Sequence, residues 1–110
     1  MKKFLVIYRA PAEAMVQMST ATEEEKMKSM EAWMSWKAKS GEAVLDFGAP
    51  LKSGQATSEG KDWVNSAKGV SGYSFIQSEN EEKVQELFTD HPHLSWHPQA
   101  SIEVHEVIPM

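Results

Sequence analysis

The sequence has no cysteine and little basic charge, and both absences exclude classes of function. Without cysteine the chain can form no disulfide, no thiolate nucleophile and no Cys-ligated zinc or iron–sulfur site. Its 11 Lys and Arg residues stand against 16 Asp and Glu residues, a net charge of −5. With no basic stripe to bind phosphates, we expect no nucleic-acid partner.

The apolar run at residues 4–8 is too short for a membrane span or a signal-peptide core, which predicts a cytoplasmic protein with no membrane partner.

The four residue types that most often fill a protein core are also scarce. Leu, Ile, Val and Phe together make up 21 of 110 residues, a share close to that of disordered chains. Seven Met and four Trp residues compensate, because both types are large and fill a core well. The length predicts a single domain over residues 1–110, with a modest core that a partner chain would help to close.

The apolar pattern predicts an α+β fold in the order β-α-β-(hairpin)-β-α-β. Strands are expected at residues 3–9, 43–47, 72–78 and 101–108. A long helix is expected at 23–40, with Thr22 as its N-cap and Gly41 after its end. A short helix is expected after Ser78, which would cap it together with Glu81 in a capping box. The polar segment at about 52–71 predicts an inserted hairpin or lid.

This order is the ferredoxin-like arrangement, in which two helices cover one face of a four-stranded antiparallel sheet. The predicted strands carry apolar side chains on both faces, so the uncovered face should pair with a second copy in a homodimer. On a helical wheel Met27, Met30 and Met34 share one face of the long helix, with Trp33 on its flank and Trp36 nearly opposite. Trp36 is therefore expected outside the core, in contact with the dimer partner.

The stretch MEAWMSWKAKSGEAVLDFGAPL at residues 30–51 resembles the DGPF-like branch of the YCII-related family, where an AWxxW helix leads to a strand ending at an Asp-x-Gly turn. The resemblance continues through SGY at 71–73, HPHL at 91–94 and SIEVHEVIPM at 101–110. It implies a dimeric α+β barrel, which agrees with the element order. Two features of the family are missing. GKDW at 60–63 stands in place of the DGPF tetrapeptide, and Met30 stands near the position of the helix histidine of the narrower YCII group. An active site built on that histidine is not expected, and a shared fold does not fix a function.

Asp46 is the first candidate for a catalytic residue, because Asp is uncommon inside strands and this one lies between Leu45 and Phe47. It also matches the Asp of the Asp-x-Gly turn in the YCII-related family, which this sequence resembles. As a carboxylate in a dry cleft it could act as a base. Alternatively, it accepts hydrogen bonds from the main chain of the turn at Gly48, a common role for Asp.

Three histidines, His91, His93 and His97, lie between the second helix and the last predicted strand. In an extended chain His91 and His93 project to the same side, and His93 matches the family's HPHL position, so it is the second candidate for proton transfer. The loose spacing does not favour a zinc site, and no metal is expected. Alternatively, the three histidines lie on a solvated or interface loop.

Trp33, Trp36, Tyr73 and His91 are the candidate ligand-binding residues. A cleft lined by aromatic side chains, with one carboxylate and one imidazole, would suit a flat apolar molecule such as a phenol or lactone. Alternatively, Trp33 and Tyr73 belong to the core and Trp36 to a dimer contact.

Two functions remain open. One is a dimeric module that binds a small apolar or aromatic molecule without catalysis. The alternative is a cofactor-independent lyase or isomerase in which Asp46 or His93 moves a proton on a substrate bound against Trp33. The sequence carries no Gly-rich phosphate loop and no nucleophile elbow, so no cofactor is expected. The enzyme hypothesis requires Asp46 and His93 to share one cavity.

Overall fold

The computed structural model describes residues 1–67 and 69–110. In chain order the strands are β1 (Lys2–Arg9), β2 (Val44–Pro50), β3 (Gln55–Ala56), β4 (Val64–Asn65), β5 (Val70–Ser78) and β6 (Ser101–Glu106). The helices are α1 (Ala12–Ser19), α2 (Glu23–Ser40), α3 (Glu81–Leu87) and α4 (Pro92–Trp96), and a short 3₁₀ turn (Gly41–Ala43) follows α2.

The main sheet has four strands in the order β2-β5-β1-β6, and each neighbouring pair is antiparallel. The first and third long strands of the chain therefore lie side by side in the centre, and the second and fourth form the edges. This is the strand order of the ferredoxin-like arrangement. The predicted α+β fold class is confirmed.

The long helix α2 has the predicted bounds, because both of its ends carry the expected signals. The Thr22 hydroxyl accepts a hydrogen bond from the Glu25 N–H at 3.1 Å, and Gly41 follows the helix with a φ of +59°. The second predicted helix begins differently. Its N-cap is Asn80, whose side chain accepts from the Lys83 N–H at 2.9 Å, so the expected cap at Ser78 was wrong.

The core lies between one face of the sheet and the helices α2 and α3. It consists of alternating side chains of the central strands packed against the helices, namely Phe4, Val6, Tyr8, Ile76, Trp36, Val84 and Phe88. Alternation along a strand places every second residue on this face. Burial of each large apolar side chain contributes on the order of 1.5–3 kcal/mol.

The orientation of α2 reverses the prediction from the helical wheel. Trp36 is 6% exposed and its Nε1–H donates to the Leu87 carbonyl at 2.8 Å, whereas Met27, Met30 and Met34 are 63%, 58% and 46% exposed. The expected position of Trp36 outside the core was wrong. The indole buries more surface than a methionine side chain, and its N–H finds an acceptor at the end of α3.

Two helices were not predicted. Residues that follow β1 form α1, and residues before β6 form α4. Each begins next to a proline: Pro11 precedes α1 and Pro92 is the first residue of α4, a position that its fixed φ favours. No helix in the described residues has the length and apolarity needed to cross a bilayer.

Between β2 and β5 the chain forms a small separate hairpin. Gln55 pairs with Asn65 and Ala56 with Val64 in an antiparallel ladder. Lys68, which belongs to the predicted insertion at 52–71, lies outside the described residues. Trp63, before the second strand of this hairpin, is 66% exposed.

The second face of the main sheet carries apolar side chains that no helix covers within the described residues. Leu5 lies opposite Phe75, and Ile7 lies opposite Tyr73. All four are half-buried, and the Lys3 ammonium lies 4.5 Å from the centre of the Phe75 ring.

Candidate functional site

Tyr8 lies near the end of β1, where it faces the helices. Its hydroxyl is 2.9 Å from the Ser74 hydroxyl, and Ser74 donates its own proton to the Phe47 carbonyl at 2.7 Å. Because a serine hydroxyl has a single proton, Tyr8 must be the donor to Ser74. Burial raises the pKa of Tyr8 to about 12, against the opposing effect of the Ser74 hydrogen bond. Tyr8 is therefore a neutral donor whose proton is already engaged.

His91 stacks on Tyr8 and is closed in by two indoles. Its ring lies 5.5 Å from the Tyr8 ring at an interplanar angle of 22°. The Trp33 and Trp36 rings meet it edge-on at 4.5 Å and 4.6 Å between centroids, and Phe88 lies 5.3 Å away. We call these five residues the Tyr8–His91 cluster. His91 is 1% exposed, so its imidazole is fully desolvated.

The two ring nitrogens of His91 have different environments. Nδ1 accepts a hydrogen bond from the His93 main-chain N–H at 3.0 Å, which makes His91 the N-cap of α4. Nε2 is buried and has no hydrogen-bond partner among residues 1–67 and 69–110. An unpaired polar group in such a position typically costs 1–3 kcal/mol.

The protonation state of His91 follows from this geometry. Desolvation, with a smaller repulsion from His93, lowers the pKa of His91 from 6.5 to about 3, so the ring is neutral at physiological pH. Since Nδ1 accepts a hydrogen bond, the single ring proton of the neutral form lies on Nε2. The cluster thus contains a buried N–H donor that finds no acceptor among the described residues and is surrounded by aromatic rings, which accept only weakly.

His93 is fixed by the main chain. It is 4% exposed, and its Nε2 lies 2.8 Å from the Arg9 carbonyl. Burial lowers the pKa of His93, against the raising effect of hydrogen bonds to the main chain of Arg9 and Ser101. The imidazole connects α4 to the end of β1 and the start of β6, and its Nε2 is not available to a substrate.

Asp46 lies on the opposite face of the sheet from the histidines. Phe47, the next residue, packs against Trp33 at 6.1 Å between ring centroids, so alternation turns Asp46 away from the helices. Asp46 is exposed, lies opposite Phe75 in the ladder, and accepts a hydrogen bond from the Gly48 N–H at 2.8 Å. The expected cavity shared by Asp46 and His93 is therefore wrong, because the bulged end of β2 turns the carboxylate into its own turn.

The remaining candidates divide between the two faces. The structure brings Trp33, Trp36 and His91 together, with His93 adjacent to Tyr8 at 5.3 Å between rings. Tyr73 lies on the uncovered face, in edge contact with Phe75. Sequence reasoning missed Tyr8, although its alternation with Phe4 and Val6 placed it on a buried strand face.

His97 does not join the other two histidines. Its Nδ1 accepts from the Gln99 N–H at 3.0 Å, and its Nε2 lies 3.4 Å from a Glu13 carboxylate oxygen. Across residues 1–67 and 69–110, no group of three or more His, Asp or Glu side chains is arranged to hold a metal ion.

Two grooves, with volumes of about 340 Å³ and 290 Å³, adjoin at Pro11, which precedes α1. The larger runs between α1 and the segment after β2, and its walls include Met15, Leu51 and Val70. The smaller is lined in part by Arg9 and Ser101, whose main chains hold His93. The larger volume is in the range of small-molecule sites.

No family model matches the sequence, and the search of curated proteins found no match. The search of solved structures found 5-chloro-2-hydroxyhydroquinone dehydrochlorinase (TftG) from Burkholderia phenoliruptrix AC1100, in complex with 2,5-dihydroxybenzoquinone. That chain is 13% identical, with a TM-score of 0.47, and the match covers 92% of this chain and 90% of that one. The resemblance to YCII-related proteins remains a prediction, and the function proposed next depends on the residues of this chain.

Proposed function

We propose that the protein binds a small, flat, uncharged molecule that carries an acceptor oxygen, and that it does so without catalysis. The observation that carries this proposal is the unpaired Nε2 of His91 among aromatic rings. A ligand carbonyl or phenol oxygen would accept the Nε2–H proton, and an aromatic ligand ring would find Tyr8 and the two indoles as its walls.

The protonation states favour binding over proton transfer. A general base works best with a pKa near the working pH, whereas His91 has a pKa of about 3 and Tyr8 one of about 12. His91 is too weak a base and Tyr8 too weak an acid. The lyase or isomerase hypothesis with Asp46 and His93 has less support, since the two lie on opposite faces of the sheet.

Access to the cluster would pass by Trp33. This side chain is half-buried, whereas Tyr8, Trp36 and His91 are buried. A rotamer change of Trp33 would open the edge of the imidazole to a ligand, at the cost of the ring contacts of Trp33 with Tyr8 and Phe47. We propose that the segment at about 52–71, which borders the larger groove, acts as a lid on the neighbouring surface.

Acetophenone and toluene test the role of His91, because they share a ring and differ in the acceptor oxygen. Titration followed by the indole N–H resonances of the tryptophans should show acetophenone binding about tenfold more tightly than toluene, the worth of one hydrogen bond. In His91→Phe the two probes should bind equally. Tyr73→Phe is the control, since it removes a polar atom from the other face and should keep the preference. Equal binding of both probes to the unchanged protein, or no binding of either, would refute the proposal.

We propose further that the uncovered sheet face forms a homodimer in the cytoplasm. The support is the row of half-buried side chains Leu5, Ile7, Tyr73 and Phe75, which a second sheet would cover. Light scattering should give twice the chain mass, and Phe75→Glu should return it to the chain mass. The same replacement at Trp63, an exposed residue before β4, should leave the dimer intact. A chain-mass species of the unchanged protein at micromolar concentration would contradict the dimer.

A further inference from the structure

Helix α2 has a second apolar side, directed away from the core. Met27, Met30 and Met34 are 63%, 58% and 46% exposed, and they follow one another at spacings of three and four residues. That spacing aligns them along one side of the helix. We call them the Met stripe. Trp33 and Trp36 hold the other side of α2 in the core, so the helix cannot turn the Met stripe inward.

The charges at the two ends of the Met stripe are opposite and symmetric. Glu23 precedes Met30 by seven residues, and Lys37 follows it by seven. Seven residues are about two helical turns, or about 10.5 Å, so Glu23, Met30 and Lys37 lie on one line along the helix. Glu23 and Lys37 are both exposed.

Because of this symmetry, two copies of α2 have complementary charges when they pair antiparallel. In an antiparallel pair centred on Met30, Glu23 of each copy lies beside Lys37 of the other, and Met27 lies beside Met34. In a parallel pair Glu23 would face Glu23, and Lys37 would face Lys37. We propose that the Met stripe is a contact surface between two copies of this chain, joined by an antiparallel pair of α2 helices.

The size of the Met stripe sets the strength of this contact. The 18 residues of α2 span about 27 Å, and a stripe about 10 Å wide therefore buries about 300 Å² per copy. A standard stable interface buries about 800 Å² per partner. The association is therefore weak and reversible. The exposed ion pairs set its direction and make it sensitive to salt.

Charge reversal tests the pairing directly. Sedimentation equilibrium at low ionic strength measures the doubling of the chain mass with concentration for Glu23→Lys, for Lys37→Glu, and for their equimolar mixture. All are made in Phe75→Glu, which removes the proposed sheet dimer and serves here as the unchanged protein. Each variant alone places like charges at both ends and should raise the Kd about tenfold or more. In the mixture every contact is again between opposite charges, so the Kd should return to within about threefold of the unchanged protein.

The matched control is Glu59→Lys, the same charge change at an exposed residue outside α2, which should leave the Kd unchanged. Thermal unfolding of each variant checks that α2 is intact, because Glu23 lies in its first turn. A mixture that associates no better than its components would overturn the proposal, and so would single variants that associate like the unchanged protein.

Cysteine cross-linking fixes the direction of the helices, and the absence of native cysteine makes it unambiguous. Met30→Cys should form a disulfide-linked pair on mild oxidation, because it lies on the two-fold axis. Met27→Cys should cross-link slowly alone and quickly when mixed with Met34→Cys. Ser35→Cys is the control: it is exposed on α2 outside the Met stripe, so its cross-linking rate measures random collision.

Rapid cross-linking of Met27→Cys alone would indicate a parallel pair and overturn the antiparallel one. Cross-linking at Met30 no faster than at Ser35 would mean that the stripe does not join copies of this chain.

Discussion

Acid should destabilise this protein through His91. The ring is neutral and buried in the fold, where desolvation lowers its pKa from 6.5 to about 3. In the unfolded chain the same imidazole takes up a proton near pH 6.5. The unfolded state therefore binds more protons than the folded state throughout the interval between the two pKa values. The stabilising effect of neutral His91 is complete above pH 6.5 and is lost as the pH falls toward 3.

The size of the effect follows from the two pKa values. Within the interval, each pH unit removes about 1.4 kcal/mol of unfolding free energy. Between about pH 6 and pH 4, His91 alone should lower the free energy of unfolding by about 2.5 kcal/mol. A domain of this size typically has about 5–15 kcal/mol of stability in total, so the loss is a substantial part of it. His93, whose pKa burial also lowers, adds to the loss with the same sign.

Urea unfolding at a series of pH values measures this contribution when the protein is compared with His91→Asn. Asn keeps an acceptor for the His93 N–H at the start of α4 and removes the titrating ring. Between about pH 6 and pH 4, this variant should lose about 2.5 kcal/mol less than the unchanged protein. His105→Asn is the matched control, because the His105 side chain is 56% exposed, and it should keep the original pH dependence. Parallel curves for the unchanged protein and His91→Asn would refute the neutral, buried state of His91.

Three further substitutions and one control substitution test the described contacts, each by urea unfolding at neutral pH. Trp36→Phe should cost about 2 kcal/mol, because it leaves the last carbonyl of α3 without its donor; a loss below about 0.5 kcal/mol would show that this bond is unimportant. Gly48→Ala should cost more than about 3 kcal/mol or prevent folding, since the new Cβ would lie 1.7 Å from the Tyr73 carbonyl oxygen. Gly60→Ala, also at positive φ but with open space around it, should cost only about 1 kcal/mol, and equal costs at the two glycines would rule out the steric explanation. Asp46→Asn should change stability by less than about 0.5 kcal/mol, because the amide oxygen can accept the same turn hydrogen bond; a larger loss would mean that the carboxylate charge matters there.

The fold was predictable because its signals are local. The end signals of α2, Thr22 and Gly41, act through the neighbouring main chain and need no knowledge of the rest of the molecule. The alternation in β1 and β5 likewise depends on side chains two residues apart. Once the order of strands and helices was known, few arrangements of the sheet were possible.

The site was less predictable because it depends on which side of α2 faces the core. Methionine and tryptophan are both apolar, so a helical wheel cannot decide between the Met stripe and Trp36. The decision comes from the Leu87 carbonyl, which gives the Trp36 N–H its acceptor and lies 51 positions away in the chain. The prediction for Asp46 failed for a similar reason. Asp46 and Phe47 point to opposite faces of β2, and the contact of Phe47 with Trp33 decides which of the two faces the helices.

Pro92 explains why His91 and His93 have different roles. In an extended chain the two rings would project to the same side, but Pro92 begins α4 and separates them. His93 then reaches the Arg9 carbonyl, whereas His91 becomes the N-cap. Ser, Asn or Asp would cap α4 at least as well, with a smaller side chain and no buried orphan donor. Capping alone therefore does not account for an imidazole here. What the imidazole adds is a ring that stacks on Tyr8 and an N–H with no acceptor in the part of the chain that the structure describes, and both are features that a ligand could use.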